Sequence, residues 1–156
     1  MRTKISSLIF LVVISCLFSA CGPGDSPEEQ VRLYVKAGED AAEARNVGAI
    51  KTLISEKYSD AHRRSRREII AIAARYFLSN KNIHIFTRIG ELTFPEPDKA
   101  ELLLYVAMTG QNVSDLDALL NMQADLYRFD MHLVRENKKW QLISAEWRPA
   151  SPNDFF

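Results

Sequence analysis

Cysteine is scarce in this sequence, which has only two among its 156 residues, Cys16 and Cys21. Cys16 lies inside an apolar stretch near the N-terminus, and Cys21 follows that stretch. The chain after residue 21 can therefore form no internal disulfide. It also offers neither a thiolate nucleophile nor a zinc–sulfur site.

An excess of charge of either sign is also lacking, because the chain has 20 basic and 20 acidic residues. A nucleic-acid-binding protein normally shows a clear basic excess, so we expect no nucleic-acid partner. The histidines His62, His84 and His132 lack the helical spacing of a metal site, and neither a glycine-rich phosphate loop nor a Gly-x-Ser-x-Gly elbow is present. We accordingly expect no metal and no cofactor.

The first twenty residues have the layout of a secretory signal peptide. Arg2 and Lys4 precede an apolar stretch at 8–18, and two small residues follow it. The stretch is too short and too weakly flanked to indicate a transmembrane helix. We therefore predict that residues 1–20 are a signal peptide.

The motif FSAC at 18–21 resembles the lipobox of bacterial lipoproteins. The resemblance implies that Cys21 becomes the first mature residue and carries the lipid, which would hold the protein firmly at a membrane. Residues 21–25 then form the lipidated cysteine and a short linker. By the same resemblance, Gly22 after the cysteine favours the outer membrane of a bacterium, with the protein on its periplasmic face. Ordinary secretion with Cys21 as a free thiol is the alternative.

Three helices are predicted in the first half of the remaining chain. Ser26 caps the first helix, with Pro27 at its first position and Glu29 completing a capping box. Asn46 caps a second, short helix through residue 54, and the capping box SRRE at 65–68 opens a third helix that ends near residue 79. Apolar spacing predicts the buried side of the third helix to be Ile69, Ile72, Ala73, Tyr76 and Phe77.

The apolar period changes after residue 80, where long β-branched and apolar runs are separated by turn residues. Strands are predicted at 83–94, 100–109, 125–135 and 140–148, with a connection at 110–122 that includes a helical turn at 116–120. Three helices followed by four antiparallel strands make an α+β domain. We place this domain at 26–150 and treat 151–156 as a tail.

This order of elements, ending in the strand pair ADLYRFDMHLVRENKKWQLISAEWR, resembles the nuclear-transport-factor-2-like superfamily. The resemblance implies a cystatin-like cone, in which three N-terminal helices pack on a curved four-stranded antiparallel sheet and enclose a pocket. The chain is similar in particular to small bacterial lipoproteins of this fold. Some relatives, such as ketosteroid isomerases, place an acid/base carboxylate and a tyrosine in the pocket, whereas others bind a ligand or a partner. Sheets of this fold also often pair face to face.

Side-chain alternation in the third strand distinguishes these alternatives. The apolar residues of YRFDMHL at 127–133 share one face, which we assign to the core, while Arg128, Asp130 and His132 share the other. Asp130 is therefore expected outside the pocket, which favours a domain without catalytic activity. The alternative is a pocket enzyme, isomerase-like or dehydratase-like, that uses Asp130 with Tyr76 or Tyr34 for proton transfer.

In the first strand, we expect Arg88 and Leu92 to share a face opposite Ile89. An arginine in the middle of a strand needs a partner, and we expect Asp130 or Glu146 to pair with it, as a structural ion pair or as a ligand anchor. The candidate pocket or polar sheet residues are Tyr34, Tyr76, His84, Arg88, Asp130, His132, Glu146 and Trp147.

The run HRRSRRE at 62–68 is the most concentrated charge in the chain. Arg63, Arg64, Arg66 and Arg67 surround the predicted start of the third helix, where the helix dipole disfavours cations. We expect a solvated face. The alternative is a contact patch for anionic head groups or an acidic partner.

Together these features predict a membrane-anchored, periplasm-facing lipoprotein whose domain binds a ligand or assembles with a protein rather than catalysing a reaction. Its expected partners are the membrane, through the lipid on Cys21, and a small apolar ligand or a protein. A structural homodimer is a further alternative.

Overall fold

The computed structural model describes residues 26–110 and 125–155, and the architecture within these ranges is α+β, as predicted. The predicted signal peptide and linker, and the helical turn predicted at 116–120, lie outside the described residues. In chain order the elements are α1 (Pro27–Glu43), α2 (Val47–Thr52), α3 (Arg66–Ser79), β1 (His84–Glu96), β2 (Lys99–Thr109), β3 (Asp125–Glu136), β4 (Lys139–Pro149) and a 3₁₀ turn (Pro152–Phe155).

All three helices begin at the capping residues that the sequence predicts. The Ser26 hydroxyl accepts a hydrogen bond from Glu29 N at 3.1 Å, and Asn46 Oδ1 accepts one from Ala49 N at 2.9 Å. At the start of α3, Glu68 Oε2 accepts from the backbone N–H of Ser65 at 2.7 Å, which is half of a capping box. None of the helices in the described ranges is long and apolar enough to span a membrane.

The four strands form one antiparallel sheet in the order β1-β2-β3-β4. A two-residue turn joins β3 to β4, and both of its residues, Asn137 and Lys138, have positive φ angles of 50° and 65°. This is the backbone geometry that matches the natural twist of a hairpin. Each strand therefore pairs with its neighbour in sequence.

The core lies between the helices and one face of the sheet, which we call the inner face; the opposite face is the outer face. Val31 and Val35 of α1 pack with Leu102, Leu104 and other apolar residues of the inner face. Backbone hydrogen bonds from Ser55 N to Leu142 O and from Leu142 N to Leu53 O join the helical layer to the edge strand β4. The buried apolar residues of the described ranges fall between positions 31 and 145, so a chain that begins at residue 22 retains this core.

The buried side of α3 differs from the prediction at one position. Ile72 is 43% exposed, whereas Ile69 and Ile70 pack against the core and Phe77 is buried. The side of α3 that faces the core is therefore the one that contains residues 66, 70, 73 and 77, and Ile72 lies well away from it. The apolar pattern alone could not choose between these neighbouring directions.

The predicted face of Leu92 is wrong. Ile89 pairs with Leu104 and Glu91 with Leu103, so one extra residue, Gly90, is inserted in β1. A bulge of this kind shifts the alternation of side chains by one. As a result Leu92, opposite Leu102, packs against the core instead of sharing the outer face with Arg88.

Candidate functional site

A cavity of about 260 Å³ lies between the three helices and the inner face of the sheet. Apolar side chains from the three helices and from the inner face line it. Representative lining residues are Val35 and Gly38 of α1, Ile50 of α2, Ile69 of α3, and Val106 and Met131 of the sheet.

Within the described ranges, three side chains bring polar groups to the cavity: Tyr34, Glu39 and Thr87. Tyr34 donates its hydroxyl hydrogen to the carbonyl oxygen of Leu53 at 3.2 Å. Burial raises the pKa of Tyr34 well above its ordinary value, with a smaller contribution from Tyr58, so the hydroxyl stays protonated. Tyr34, a pocket candidate from the sequence, thus lies in the cavity lining.

Glu39 is a cavity residue that the sequence analysis missed. Its side chain is 17% exposed, it accepts a hydrogen bond from the Thr87 hydroxyl, and its other oxygen lies 3.3 Å from Lys36 Nζ. A signal was present in the sequence, because Glu39 follows Val35 by four residues and therefore lies on the same side of α1. Its charge had concealed that placement.

The structure does not bring together the proton-transfer pair of the alternative interpretation, Asp130 with Tyr34 or Tyr76. Asp130 lies on the outer face, where it forms two hydrogen bonds with Arg128, at 2.8 and 3.2 Å. Tyr34 lies in the cavity on the other side of the sheet, and Tyr76 is not among the cavity residues. Burial raises the pKa of Tyr76, and the nearby Asp125 and Tyr127 add to this effect. A site built from Asp130 with Tyr34 or Tyr76 is therefore contradicted, and the expectation that Asp130 lies outside the pocket is confirmed.

Trp147 lies on the inner face but outside the cavity lining. Its ring stacks on Phe129 with centroids 6.0 Å apart, and the Arg64 guanidinium lies 4.1 Å from its centroid. Arg64 also donates from Nε to the buried Asp60 at 2.7 Å. Trp147 is thus part of a polar–aromatic cluster that fixes the chain before α3.

The basic run at 62–68 was expected to form one solvated face, but two of its arginines make contacts within the protein. Arg64 is held by Asp60 and Trp147, and Arg66 donates to the carbonyl oxygens of Ile54 at 3.0 Å and Lys51 at 2.7 Å, besides pairing with Glu56. Arg66 therefore binds one carbonyl in the last turn of α2 and one just beyond its end. Only Arg63 and Arg67 have the exposed positions that the prediction requires.

Arg88 does not meet Asp130 or Glu146, and that prediction is wrong. Its Nη2 donates to the carbonyl oxygen of Asp154 at 2.8 Å, and its guanidinium lies 4.9 Å from the ring centroid of Tyr105. The strand register explains the difference, because it places Asp130 and Glu146 one row further along the outer face.

Charges on the outer face form two rows that cross the strands. One row contains Arg88, Tyr105, Arg128 and Arg148, and the next contains Glu91, Leu103, Asp130 and Glu146. The two remaining candidates lie on the same face: His84 pairs with Thr109 near one end of the strands, and His132 Nδ1 lies 3.9 Å from Glu101 Oε1. In the described part of the chain, no three His, Cys, Asp or Glu side chains form a group that could hold a metal ion.

Comparison with known proteins finds similarity in structure only. No protein-family model and no curated protein matches the sequence. A proposed dehydratase of the nuclear-transport-factor-2-like family from Streptomyces avermitilis is 18% identical, with a TM-score of 0.63 over 83% of this chain and 99% of that one. A Caulobacter vibrioides protein with a cystatin-like fold is 12% identical, with a TM-score of 0.63 over 81% and 91% of the two chains.

A longer protein, Bd1075 of Bdellovibrio bacteriovorus, is 11% identical with a TM-score of 0.59, and the match covers 78% of this chain but only 40% of that one. Identities this low establish the fold and nothing finer. The helical layer, the order of the four strands and these structural neighbours together show that the chain has the cystatin-like cone fold of the nuclear-transport-factor-2-like proteins.

Proposed function

We propose that this domain binds a small apolar ligand in the cavity between the helices and the inner face, without catalysing a reaction. The observation that carries the proposal is the lining formed by the described residues, among which only Tyr34, Glu39 and Thr87 carry polar side-chain atoms. Ligand sites are typically apolar cavities with a few placed polar groups. A volume of about 260 Å³ exceeds the roughly 150 Å³ that accommodates benzene, and it is smaller than most sites for drug-sized molecules. The ligand should therefore have the bulk of one or two fused rings.

The arrangement of the polar groups favours binding over proton transfer. Tyr34 donates to a backbone carbonyl, and Thr87 donates to Glu39, so both hydroxyl hydrogens are committed within the protein. Glu39 is the single carboxylate of the lining, and no histidine, lysine or arginine of the described residues accompanies it there. A general acid–base pair needs a second titratable group within hydrogen-bond reach of the substrate. Tyr34 is the other titratable side chain of the described lining, and its hydrogen is held by Leu53 O.

Naphthalene fluorescence tests this proposal with residues 22–156, the part of the chain that retains the core. We expect naphthalene to bind with saturation. Gly38→Leu should abolish binding because the added side chain occupies the cavity. Ala37→Leu, at an exposed position on the same helix, is the matched control and should bind as the wild type does. Equal binding by both variants, or no binding by the wild type, would rule out the cavity as the site.

We propose further that the domain is anchored through lipid on Cys21 to the outer membrane and faces the periplasm. The lipobox-like motif at 18–21 supports this, and it lies outside the described residues. Cys21→Ser should abolish incorporation of labelled palmitate, whereas Cys16→Ser should leave it intact. Labelling that persists in Cys21→Ser would overturn the proposal.

A homodimer through the outer face is a second candidate, and the two charged rows favour it. A two-fold axis running between the rows, in the plane of the contact, would set the arginine row of one copy against the acidic row of the other. Arg148 would then face the partner's Glu146. Such self-complementarity is what a two-fold interface requires.

Charge reversal tests the homodimer. If it forms, Arg148→Glu and Glu146→Arg should each weaken it, because each places like charges against one another. The double variant should restore it. Sedimentation velocity on residues 22–156 measures the change. A wild type that remains monomeric at high concentration would eliminate this candidate.

A further inference from the structure

We infer that the cavity selects an apolar ligand that carries a neutral or cationic hydrogen-bond donor, and that it rejects anionic ligands of the same size. The inference rests on the proposed function, because it assumes that the cavity is a binding site. It follows from the polar atoms of the described lining. Their donor hydrogens are used in hydrogen bonds within the protein, so the groups left for a ligand are hydrogen-bond acceptors.

Glu39 supplies the charged part of this acceptor capacity. A carboxylate has about four lone-pair sites on its two oxygens. Thr87 uses one site and the ammonium group of Lys36 uses another. Two sites remain, and a ligand can use them only by donating a hydrogen.

Tyr34 and Thr87 add acceptors and no free donor. A hydroxyl group has one hydrogen and two lone pairs. The hydrogen of Tyr34 goes to Leu53 O, and that of Thr87 goes to Glu39. A ligand that needs a donor from the protein, such as a carboxylate, finds none among these side chains.

Positive charge is also missing from the described cavity lining. Lys36 is a cation that contacts Glu39. Its side chain is 61% exposed, however, and it also pairs with Asp40 at 2.9 Å. It therefore lies toward solvent at the edge of the cavity. An anionic ligand would lose its hydration and approach the Glu39 carboxylate with no compensating charge, which is strongly unfavourable.

Three ligands of similar bulk test the inference on residues 22–156: naphthalene, 2-naphthol and 2-naphthoate. At neutral pH the first is apolar, the second is a neutral donor and the third is an anion. We expect 2-naphthol to bind roughly tenfold more tightly than naphthalene, because a hydrogen bond to a charged acceptor adds to the apolar contact. 2-Naphthoate should bind more weakly than naphthalene.

Glu39→Gln assigns this preference to the carboxylate. The amide keeps the size of the side chain, removes its charge and adds donors. It should therefore reduce the advantage of 2-naphthol and improve the binding of 2-naphthoate. Asp40→Asn is the matched control, since Asp40 also pairs with Lys36 and is exposed on the same helix. It should leave the ranking of the three ligands unchanged.

The outcomes separate this inference from the proposed function. If naphthalene binds and 2-naphthoate binds as tightly as 2-naphthol in the wild type, the selectivity is wrong and the binding site stands. If none of the three ligands binds, the proposed function itself fails. The wild-type ranking decides the inference even if Glu39→Gln does not fold. An unchanged ranking in a folded Glu39→Gln protein would contradict the role given to Glu39.

Discussion

Asp60 has a fully buried side chain that accepts hydrogen bonds from Tyr58 Oη, from His62 N, and from both N and Nε of Arg64. Burial alone would raise the pKa of this carboxyl, but the hydrogen bonds from Arg64 and Tyr58 outweigh it and hold the pKa below its ordinary value. Burial also raises the pKa of Tyr58 to about 12, so its hydroxyl remains a donor. This cluster orders the turn from which α3 begins.

Replacing Arg64 with methionine should destabilise the fold. The change keeps much of the apolar stem and removes the charge opposite Asp60, leaving a buried carboxylate without its charged partner. A loss of about 1–3 kcal/mol in the free energy of unfolding is expected. Arg67→Met, at an exposed position nearby, should change it by less than about 0.5 kcal/mol. Urea denaturation of both variants provides the comparison, and equal effects would refute the structural role of Arg64.

The same carboxylate predicts a pH dependence. Because the pKa of Asp60 is lower in the folded state, its contribution is fully present above its unfolded pKa of about 3.9 and is lost as the pH falls through the folded value. Asp60→Asn should therefore be less stable than the wild type at neutral pH, and the difference should shrink below about pH 4. Urea denaturation across this pH range measures the difference in the free energy of unfolding, with Asp98→Asn at an exposed position as the control. A difference between wild type and Asp60→Asn that stays constant with pH would contradict the prediction.

For single residues, the sequence predicted the face of a strand on which a side chain lies better than it predicted the residues that the side chain contacts. Asp130 falls outside the pocket as expected, because strand alternation is a local property. The partners of Arg88 and the roles of Arg64 and Arg66 could not be read from spacing. They depend on chain segments that meet only after folding, such as Asp154 with β1 and the end of α2 with the start of α3.

Among the secondary-structure elements, α1 and β1 each contain a glycine, and the two differ in the space available for a side chain. Gly38 has room for a Cβ, whereas Gly90 does not. A Cβ added to Gly38 would lie 3.9 Å from Leu53 Cδ1, which is an ordinary contact. A Cβ added to Gly90 would lie 2.9 Å from Tyr105 Cε2 and 3.1 Å from Leu103 Cδ2, so those side chains would have to move. Gly90 is thus the residue at the β1 bulge over which outer-face side chains pack closely.

Alanine substitutions should therefore change stability in opposite directions. Gly38→Ala should raise the free energy of unfolding by about 0.5–1 kcal/mol, because alanine restricts the unfolded chain and favours the helix. Gly90→Ala should lower it by about 1–3 kcal/mol through overpacking. Thermal and urea denaturation measure both effects, and a stabilised Gly90→Ala would argue against the close packing at the bulge.

The elements themselves were predictable from the sequence for a physical reason. The caps at Ser26, Asn46 and Ser65 act within one helical turn, and the strands are marked by local composition and turns. The bulge at Gly90 and the inward direction of α3 were not predictable. Both depend on how one element packs against another. A rotation of α3 exchanges Ile72 for Ile70 on its buried side, and one inserted residue reverses the face of Leu92.

For the whole molecule, the cavity is the feature that the sequence could not locate. Its existence was implied by the resemblance of the chain to a cone-shaped fold, and the structure shows which residues line it. Glu39 was missed because apolar spacing identifies the buried side of a helix by its apolar residues and does not indicate that a charged residue lies there. The central claim is that this cavity, rather than an exposed apolar surface, is where an apolar ligand binds.

Methyl NMR of residues 22–156, labelled at isoleucine, leucine and methionine, tests that claim most directly. When naphthalene is added, the methyl signals of Ile69, Met108 and Met131, which line the cavity, should shift and saturate together. Those of Leu33 and Leu78, which are 55% and 87% exposed, should stay in place. Shifts confined to the exposed leucines, or no shift in the cavity methyl groups at saturating naphthalene, would contradict the account.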